Sequence, residues 1–205
     1  MKKLFAVAGA LAAWFALILQ LYISLSQADS RLYELIKYLS FMTIWTNFIV
    51  AVSFTFQVIS TESRIGKILN APSVQGGILL YIIVVALVYH LVLANIWDPK
   101  GPEKVADEFL HTVVPVLYLL YWIFFVRKGD LRFSNSIKWL IYPLIYLIYS
   151  LIRGALTGLY PYYFMNVAKL GYAVTFRNIG FIMAGYILLG IIIILIDKIL
   201  ARKKV

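Results

Sequence analysis

Residues 4–25 read LFAVAGALAAWFALILQLYISL, and this stretch contains no charged side chain. A helix of about 20 apolar residues is long enough to cross the hydrocarbon core of a bilayer. Five further runs of similar character occupy residues 38–59, 74–95, 109–126, 137–157 and 178–196. An open sheet cannot satisfy its backbone in lipid, and the runs lack the alternation of barrel strands. The sequence therefore predicts an all-α, polytopic membrane protein, a bundle of six transmembrane helices.

The composition excludes an ordinary soluble domain. The chain has 205 residues, of which 63% are hydrophobic and 14% charged, against about 45–50% and about 25% in soluble domains. The net charge of +10 does not indicate a nucleic-acid partner, because the basic residues lie in short segments between apolar runs. The absence of cysteine excludes disulfides, thiolate catalysis and cysteine-based metal sites. We expect one domain over residues 1–205.

The distribution of Lys and Arg predicts the orientation in the membrane. If the N-terminus is cytoplasmic, twelve of the 19 basic residues fall in inner segments and six in outer ones, with Arg153 inside the fifth run. This bias follows the positive-inside rule and places both termini in the cytoplasm. The first run is longer than the apolar core of a signal peptide, so we expect a retained helix. The expected location is the bacterial cell (inner) membrane, as a multi-pass protein.

Polar residues inside a span are costly and therefore informative about function. In the second run, Ser40, Thr43 and Asn47 follow a spacing that places them on one helical face, in the outer half of the bilayer. Two interpretations stay open. The side chains bond to backbone carbonyls or join helices together, or the stripe lines a cavity.

His111 carries the sharpest signal, at the outer end of the fourth run. Pro115 cannot donate to the carbonyl four residues back, so the helix should be kinked or opened near His111. Pro102 is well placed as the first residue of an extended fourth helix. In that helix Asp107 lies one turn before His111 and could hold its imidazole in one tautomer. The alternative is an interfacial histidine bonded to water or a loop.

Other polar residues are weaker candidates. We interpret His90 as a structural histidine and expect no metal site and no cofactor, because the ligand spacing is missing. Arg153 either reaches the lipid headgroups or clamps a lipid carboxylate or phosphate. Asn95 falls at the same outer rim. The inner half of the bundle is expected to hold almost no polar groups, which favours a one-sided pocket over a transport path.

A family resemblance rests on three short motifs in order along the chain. They are residues 37–41 (KYLSF), the pair His111 and Thr112 with Pro115 shortly after, and Thr157-Gly158 followed by Tyr160-Pro161. In this order the chain resembles, over essentially its whole length, the androgen-induced integral membrane proteins and their bacterial six-helix relatives. The resemblance implies hydrolysis of fatty acid esters of hydroxy fatty acids by a membrane-embedded threonine and a histidine. The histidine matches His111, and the threonine position matches Ser40, with Thr43 one turn further on as the alternative.

The sequence therefore predicts a hydrolase that uses Ser40 or Thr43 as nucleophile and His111 as base, acting on a membrane lipid or acyl ester. Asn47, or amides freed near Pro115, could stabilise the oxyanion. The rival interpretation is a lipid- or metabolite-binding membrane protein or transporter without enzymatic activity.

Overall fold

The computed structural model describes residues 1–94 and 96–202, and over these ranges the chain is helical with no strand. Six helical segments are long and apolar enough to cross a membrane. They are Lys2–Ser26, Met42–Ile59, Pro72–Leu93, Pro102–Phe125, Phe133–Thr157 and Val167–Arg202. The prediction of an all-α chain with six candidate spans is confirmed.

The second span begins later than predicted. Residues Arg31–Tyr38 form a separate short helix, α2, whose N-terminus is capped by the Ser30 side chain, which accepts from the Tyr33 amide. The helix carries Glu34 and Lys37 on its polar side, so it is amphipathic rather than membrane-spanning. The backbone then leaves the helix at residues 39–41 and α3 starts at Met42. The fourth span does begin at Pro102, as predicted.

The chain divides into two compact units, the first covering Met1–Asp130 and the second starting at Leu131. The helices of the first unit are α1 (Lys2–Ser26), α2 (Arg31–Tyr38), α3 (Met42–Ile59), α4 (Arg64–Asn70), α5 (Pro72–Val88), α6 (Pro102–Glu108) and α7 (Val114–Phe125). A first π turn, Tyr89–Leu93, extends α5, and a second π turn, Phe109–Val113, joins α6 to α7. The prediction of a single domain stays a prediction.

Small residues let α1 pack closely in the first unit. Ala6, Ala13 and Ala16 are fully buried. A Cβ atom at Gly9 would lie 2.6 Å from the Phe54 ring, so only glycine fits there. Close backbone approach through small residues is a general way of joining membrane helices.

The second unit contains α8 (Phe133–Lys138), α9 (Ile141–Thr157), a 3₁₀ turn (Tyr163–Met165) and α10 (Val167–Arg202). Gly158 ends α9 in the left-handed conformation, with φ 71°, which glycine adopts without strain. The Tyr160 ring then covers Gly154, where a Cβ atom would lie 2.1 Å from the ring. The Thr157–Pro161 motif therefore contains the C-terminal end of α9 at Gly158 and the Tyr160 ring, which packs tightly against Gly154.

Candidate active site

Thr43 and His111 lie side by side in the first unit. Thr43 is the second residue of α3, and His111 lies in the second π turn. The distance from Thr43 Oγ1 to His111 Nε2 is 3.4 Å. The histidine is buried, with 8% of its surface exposed, whereas Thr43 is half-buried. A hydroxyl and an imidazole on separate spans are thus within reach of one another, at the loose end of hydrogen-bond distance.

Asp107 holds the other side of the imidazole. Its Oδ1 lies 3.2 Å from His111 Nδ1, and its backbone oxygen lies 3.0 Å from the same nitrogen. The backbone oxygen can only accept a hydrogen bond, so its contact favours a proton on Nδ1. Nε2 is then the lone-pair nitrogen, and it faces Thr43. This places Thr43, His111 and Asp107 in the order of nucleophile, base and orienting carboxylate.

Tyr89, from the first π turn, completes the surroundings of the carboxylate. Its hydroxyl donates a hydrogen bond to Asp107 Oδ2. Its ring stacks on the imidazole, with centroids 3.9 Å apart and planes 10° from parallel. Asp107 is 7% exposed, so its two oxygens are both engaged in a site with little water. Sequence reasoning missed Tyr89, because a tyrosine in an apolar run carries no signal except its place beside His90.

The π turns explain how the site is assembled. In the second π turn the Val114 amide bonds to the Phe109 carbonyl, five residues back. Pro115 has no N–H, so the Leu110 carbonyl is left without a helical donor. Asn47 Nδ2 donates to that carbonyl at 3.2 Å. The predicted opening of the helix ahead of Pro115 is confirmed, and α3 supplies the missing hydrogen bond.

Asn47 has a positioning role here, not the oxyanion role proposed from the sequence. Its Nδ2 donates both to Leu110 and to the Thr43 carbonyl, at 2.9 Å. Both amide hydrogens are therefore committed to backbone carbonyls, and the side chain is fully buried. Asn47 ties the backbone of Thr43 to the turn that carries His111.

Ser40 does not belong to the polar stripe that was predicted. It lies in the break between α2 and α3, outside regular helix, so the helical spacing that would align it with Thr43 and Asn47 does not apply. The residue is buried, and its hydroxyl donates to the Lys37 carbonyl at 2.5 Å. Its proton is thus directed at the backbone, whereas the Thr43 hydroxyl faces an imidazole.

A second histidine–threonine pair lies next to the first. His90 Nε2 and Thr112 Oγ1 are 3.1 Å apart, and His90 is exposed. The pair joins the first π turn to the second. Within residues 1–94 and 96–202, no group of three His, Asp or Glu side chains is placed to share a metal ion.

Two predicted residues remain, Arg153 and Asn95. Arg153 lies on α9 in the second unit, where its Nη1 donates to the Leu159 carbonyl at 2.6 Å. That bond holds the chain just after the end of α9, a structural role that sequence reasoning did not consider. Asn95 lies outside the described residues.

The expectation that the inner half of the bundle holds almost no polar groups is wrong. Ser53, Gln75 and Tyr118 form a buried cluster in which the Tyr118 hydroxyl donates to Gln75 Oε1 at 2.7 Å. Gln75 Nε2 lies 3.3 Å from Ser53 Oγ, and Ser53 Oγ lies 3.3 Å from the Tyr118 hydroxyl. These residues were hidden in the sequence because they come from three different helices, and a single sequence does not report which helices are neighbours.

The comparisons with known proteins add no assignment to this geometry. No protein-family model, no curated protein and no solved structure matches the chain. In the site itself, the half-buried Thr43 hydroxyl contacts the buried His111 imidazole, which contacts the buried Asp107 carboxylate.

Proposed function

We propose that this protein is a membrane-embedded hydrolase of lipid esters, with Thr43 as nucleophile, His111 as general base and Asp107 as the residue that orients the imidazole. Two consecutive contacts support the proposal. Thr43 Oγ1 lies 3.4 Å from His111 Nε2, and His111 Nδ1 lies 3.2 Å from Asp107 Oδ1. A hydroxyl is a weak nucleophile until a base within reach takes its proton.

In the first half of the reaction, His111 Nε2 takes the hydroxyl proton while Thr43 Oγ1 attacks the carbonyl carbon of the ester. The tetrahedral intermediate collapses as the bond to the leaving alcohol breaks, and the imidazolium returns the proton to that oxygen. The products of this half are a free alcohol and an acyl group on Thr43. Asp107 stabilises the imidazolium through Nδ1 without itself taking a proton.

In the second half, a water molecule takes the place of the alcohol. His111 Nε2 accepts a proton from the water, whose oxygen attacks the acyl carbon. The bond to Thr43 Oγ1 breaks, the proton returns to the threonine, and a carboxylic acid leaves. The cycle restores the hydroxyl and the neutral imidazole without a cofactor.

Thr43 is preferred to Ser40 as nucleophile because of where each hydroxyl proton points. A nucleophile must hand its proton to the base, and the Ser40 proton is engaged by a backbone carbonyl at 2.5 Å. The motif resemblance to the androgen-induced integral membrane proteins matches the threonine position to Ser40, so the geometry and the resemblance differ on this residue. They agree on His111.

The substrate class follows from the surroundings of the site. Apolar side chains on the elements that carry the site are exposed, including Phe48 on α3 and Leu91 in the first π turn. In a bilayer such positions contact acyl chains. A fatty acyl ester that enters sideways from the lipid is therefore the proposed substrate. We further propose that both termini are cytoplasmic, which the bias of Lys and Arg supports. The resemblance to the bacterial six-helix relatives is the ground for proposing a bacterial inner membrane.

The test uses purified protein, a fluorophosphonate probe and fatty acyl ester turnover. We expect covalent labelling and hydrolysis that are lost in Thr43→Ala and His111→Ala and retained in Thr43→Ser. Thr55→Ala is the matched control, since Thr55 lies on the same helix and bonds to Trp14 Nε1 and the Ala51 carbonyl. It should keep both activities.

Two results would overturn the proposal. Absence of labelling together with equal ester turnover in all variants rejects the hydrolase. Loss of labelling in Ser40→Ala with retention in Thr43→Ala rejects Thr43 as the nucleophile.

A second candidate function is a transporter. The buried cluster of Ser53, Gln75 and Tyr118 favours it, because the first unit then holds polar groups at two depths, that of His111 and that of this cluster. Val50 and Val114, both fully buried, lie between the two levels on α3 and α7. A substrate path through the unit would require these helices to move apart. Uptake of a labelled lipid into proteoliposomes, retained in His111→Ala, would support the transporter.

A further inference from the structure

A cleft lies at the end of the first unit where α1 begins. Its volume is about 570 Å³, and its lining includes Lys2, Glu62, Lys67, Gln75, Tyr121 and Arg127. Tyr121 follows His111 by ten residues along the same helical segment, which corresponds to about 15 Å. The cleft is therefore separate from the candidate active site, and its size suits a small organic ligand.

The lining is positively charged. It contains three cations, Lys2, Lys67 and Arg127, and one carboxylate, Glu62, which leaves a net charge of +2. Lys67 Nζ lies 3.7 Å from Glu62, a long and exposed ion pair that contributes little. The Arg127 pair with Asp130 uses Nε, which leaves the terminal nitrogens of the guanidinium to face another group.

Lys2 is held near the cleft without a carboxylate partner among the described residues. Its Nζ lies 6.0 Å from the centre of the Tyr121 ring, a distance at which a cation and an aromatic face attract each other. The three cations come from α1, α4 and the segment after α7, so the fold gathers them from three separate parts of the chain.

The lining also contains a buried amide, Gln75, and the apolar side chains of Phe125 and Val126. Gln75, 1% exposed, is fixed there by Tyr118 and by the Leu69 carbonyl.

We infer that the cleft binds a phosphate-bearing ligand, with Lys2, Lys67 and Arg127 around the phosphate. Phosphate offers several anionic oxygens to converging cations, and a guanidinium matches its geometry. The ligand is either the headgroup of an anionic lipid or a soluble phosphate ester. The positive-inside bias predicts that this end is cytoplasmic, where anionic headgroups attract basic side chains.

The experiment measures calorimetric binding to the purified full-length chain in a non-ionic detergent. The probes are dioctanoyl phosphatidylglycerol, glycerol 3-phosphate and, as the phosphate-free control, dioctanoylglycerol. We expect saturable binding of a phosphate-bearing probe that weakens about tenfold in Lys67→Gln and in Arg127→Gln, since each removes a charge-assisted hydrogen bond. Lys104→Gln removes an equal charge from an exposed position on α6 and should bind like the parent chain.

Each outcome decides the proposal. Binding of phosphatidylglycerol alone identifies a lipid headgroup, and binding of glycerol 3-phosphate with similar affinity identifies a soluble ester. Equal binding of dioctanoylglycerol, equal losses in Lys104→Gln, or no binding of either phosphate probe would overturn it. Ester turnover and fluorophosphonate labelling report on Thr43 and His111 alone, so failure here leaves the proposed hydrolase standing.

Discussion

Replacing Asp107 with asparagine tests the alignment of the candidate site most directly. Asp107 Oδ2 accepts from the Tyr89 hydroxyl, so an asparagine is expected to turn its carbonyl oxygen towards Tyr89 and its NH₂ towards His111 Nδ1. The imidazole then loses the carboxylate that stabilises its positive charge during the reaction. The shape of the side chain hardly changes, so the fold should survive.

The size of the effect follows from the contacts that remain. A hydrogen bond to a charged group contributes about 1.5–3 kcal/mol, which corresponds to a rate decrease of about 10- to 150-fold. Full loss of the productive tautomer would cost about 10⁴-fold. The Asp107 backbone oxygen, 3.0 Å from His111 Nδ1, still favours that tautomer. We therefore expect the smaller range.

The assay is steady-state hydrolysis of a fatty acyl ester in detergent, with kcat and KM measured separately. Asp107→Asn should lower kcat and leave KM nearly unchanged, because the carboxylate acts on the base rather than on the substrate. Glu108→Gln is the matched control, an exposed carboxylate beside Asp107. Unchanged kcat in Asp107→Asn, or an equal decrease in Glu108→Gln, would refute the reasoning.

Three further predictions concern neighbouring and distant contacts. Tyr89→Phe keeps the ring stack but removes the hydroxyl that donates to Asp107, so kcat should fall about three- to tenfold. Burial raises the pKa of Tyr38, on α2, to about 12. In the unfolded chain the same hydroxyl loses its proton near pH 10. The folded state should therefore lose stability as the pH rises from about 10 to about 12, because only the unfolded chain can release the proton in that range. Tyr38→Phe should reduce that slope, measured as the detergent-state unfolding temperature at each pH. Gly154→Ala should lower the unfolding temperature because of the ring that covers it, whereas Gly180→Ala, which meets open space, should raise it slightly.

Contrary results are equally specific. A Tyr89→Phe enzyme with unchanged kcat would mean that the hydroxyl does not support the carboxylate during turnover. If the unfolding temperature of Tyr38→Phe falls as steeply between pH 10 and 12 as that of the parent chain, groups other than Tyr38 cause the loss of stability. Equal unfolding temperatures for Gly154→Ala and Gly180→Ala would contradict the close packing in the second unit.

Hydropathy predicted the six spans because membrane crossing needs a fixed length of apolar helix, whatever the tertiary fold. Boundaries were less predictable where local chemistry competes with hydropathy. The break at residues 39–41 separates an amphipathic helix from a spanning one, although residues 38–59 read as a single apolar run. That break removes Ser40 from the face that holds Thr43 and Asn47.

Part of the candidate site could be predicted because it is local. Asp107 and His111 are one turn apart on one helix, and Pro115 marks the place where the helix opens. Tyr89 and the choice of Thr43 depend on which helices are neighbours, and a single sequence does not report this. The same limit hid the cluster of Ser53, Gln75 and Tyr118, whose members come from α3, α5 and α7.

The apolar layer at Val50 and Val114 has a bioenergetic consequence. A membrane that stores energy as a proton gradient is short-circuited by any continuous chain of proton carriers across it. Between Asn47 and Ser53, α3 presents only Phe, Ile, Val and Ala over about 9 Å, so this helix offers no proton relay between the level of Asn47 and the level of Ser53. In such a membrane, the apolar layer would interrupt any proton path along α3 between the two buried polar clusters.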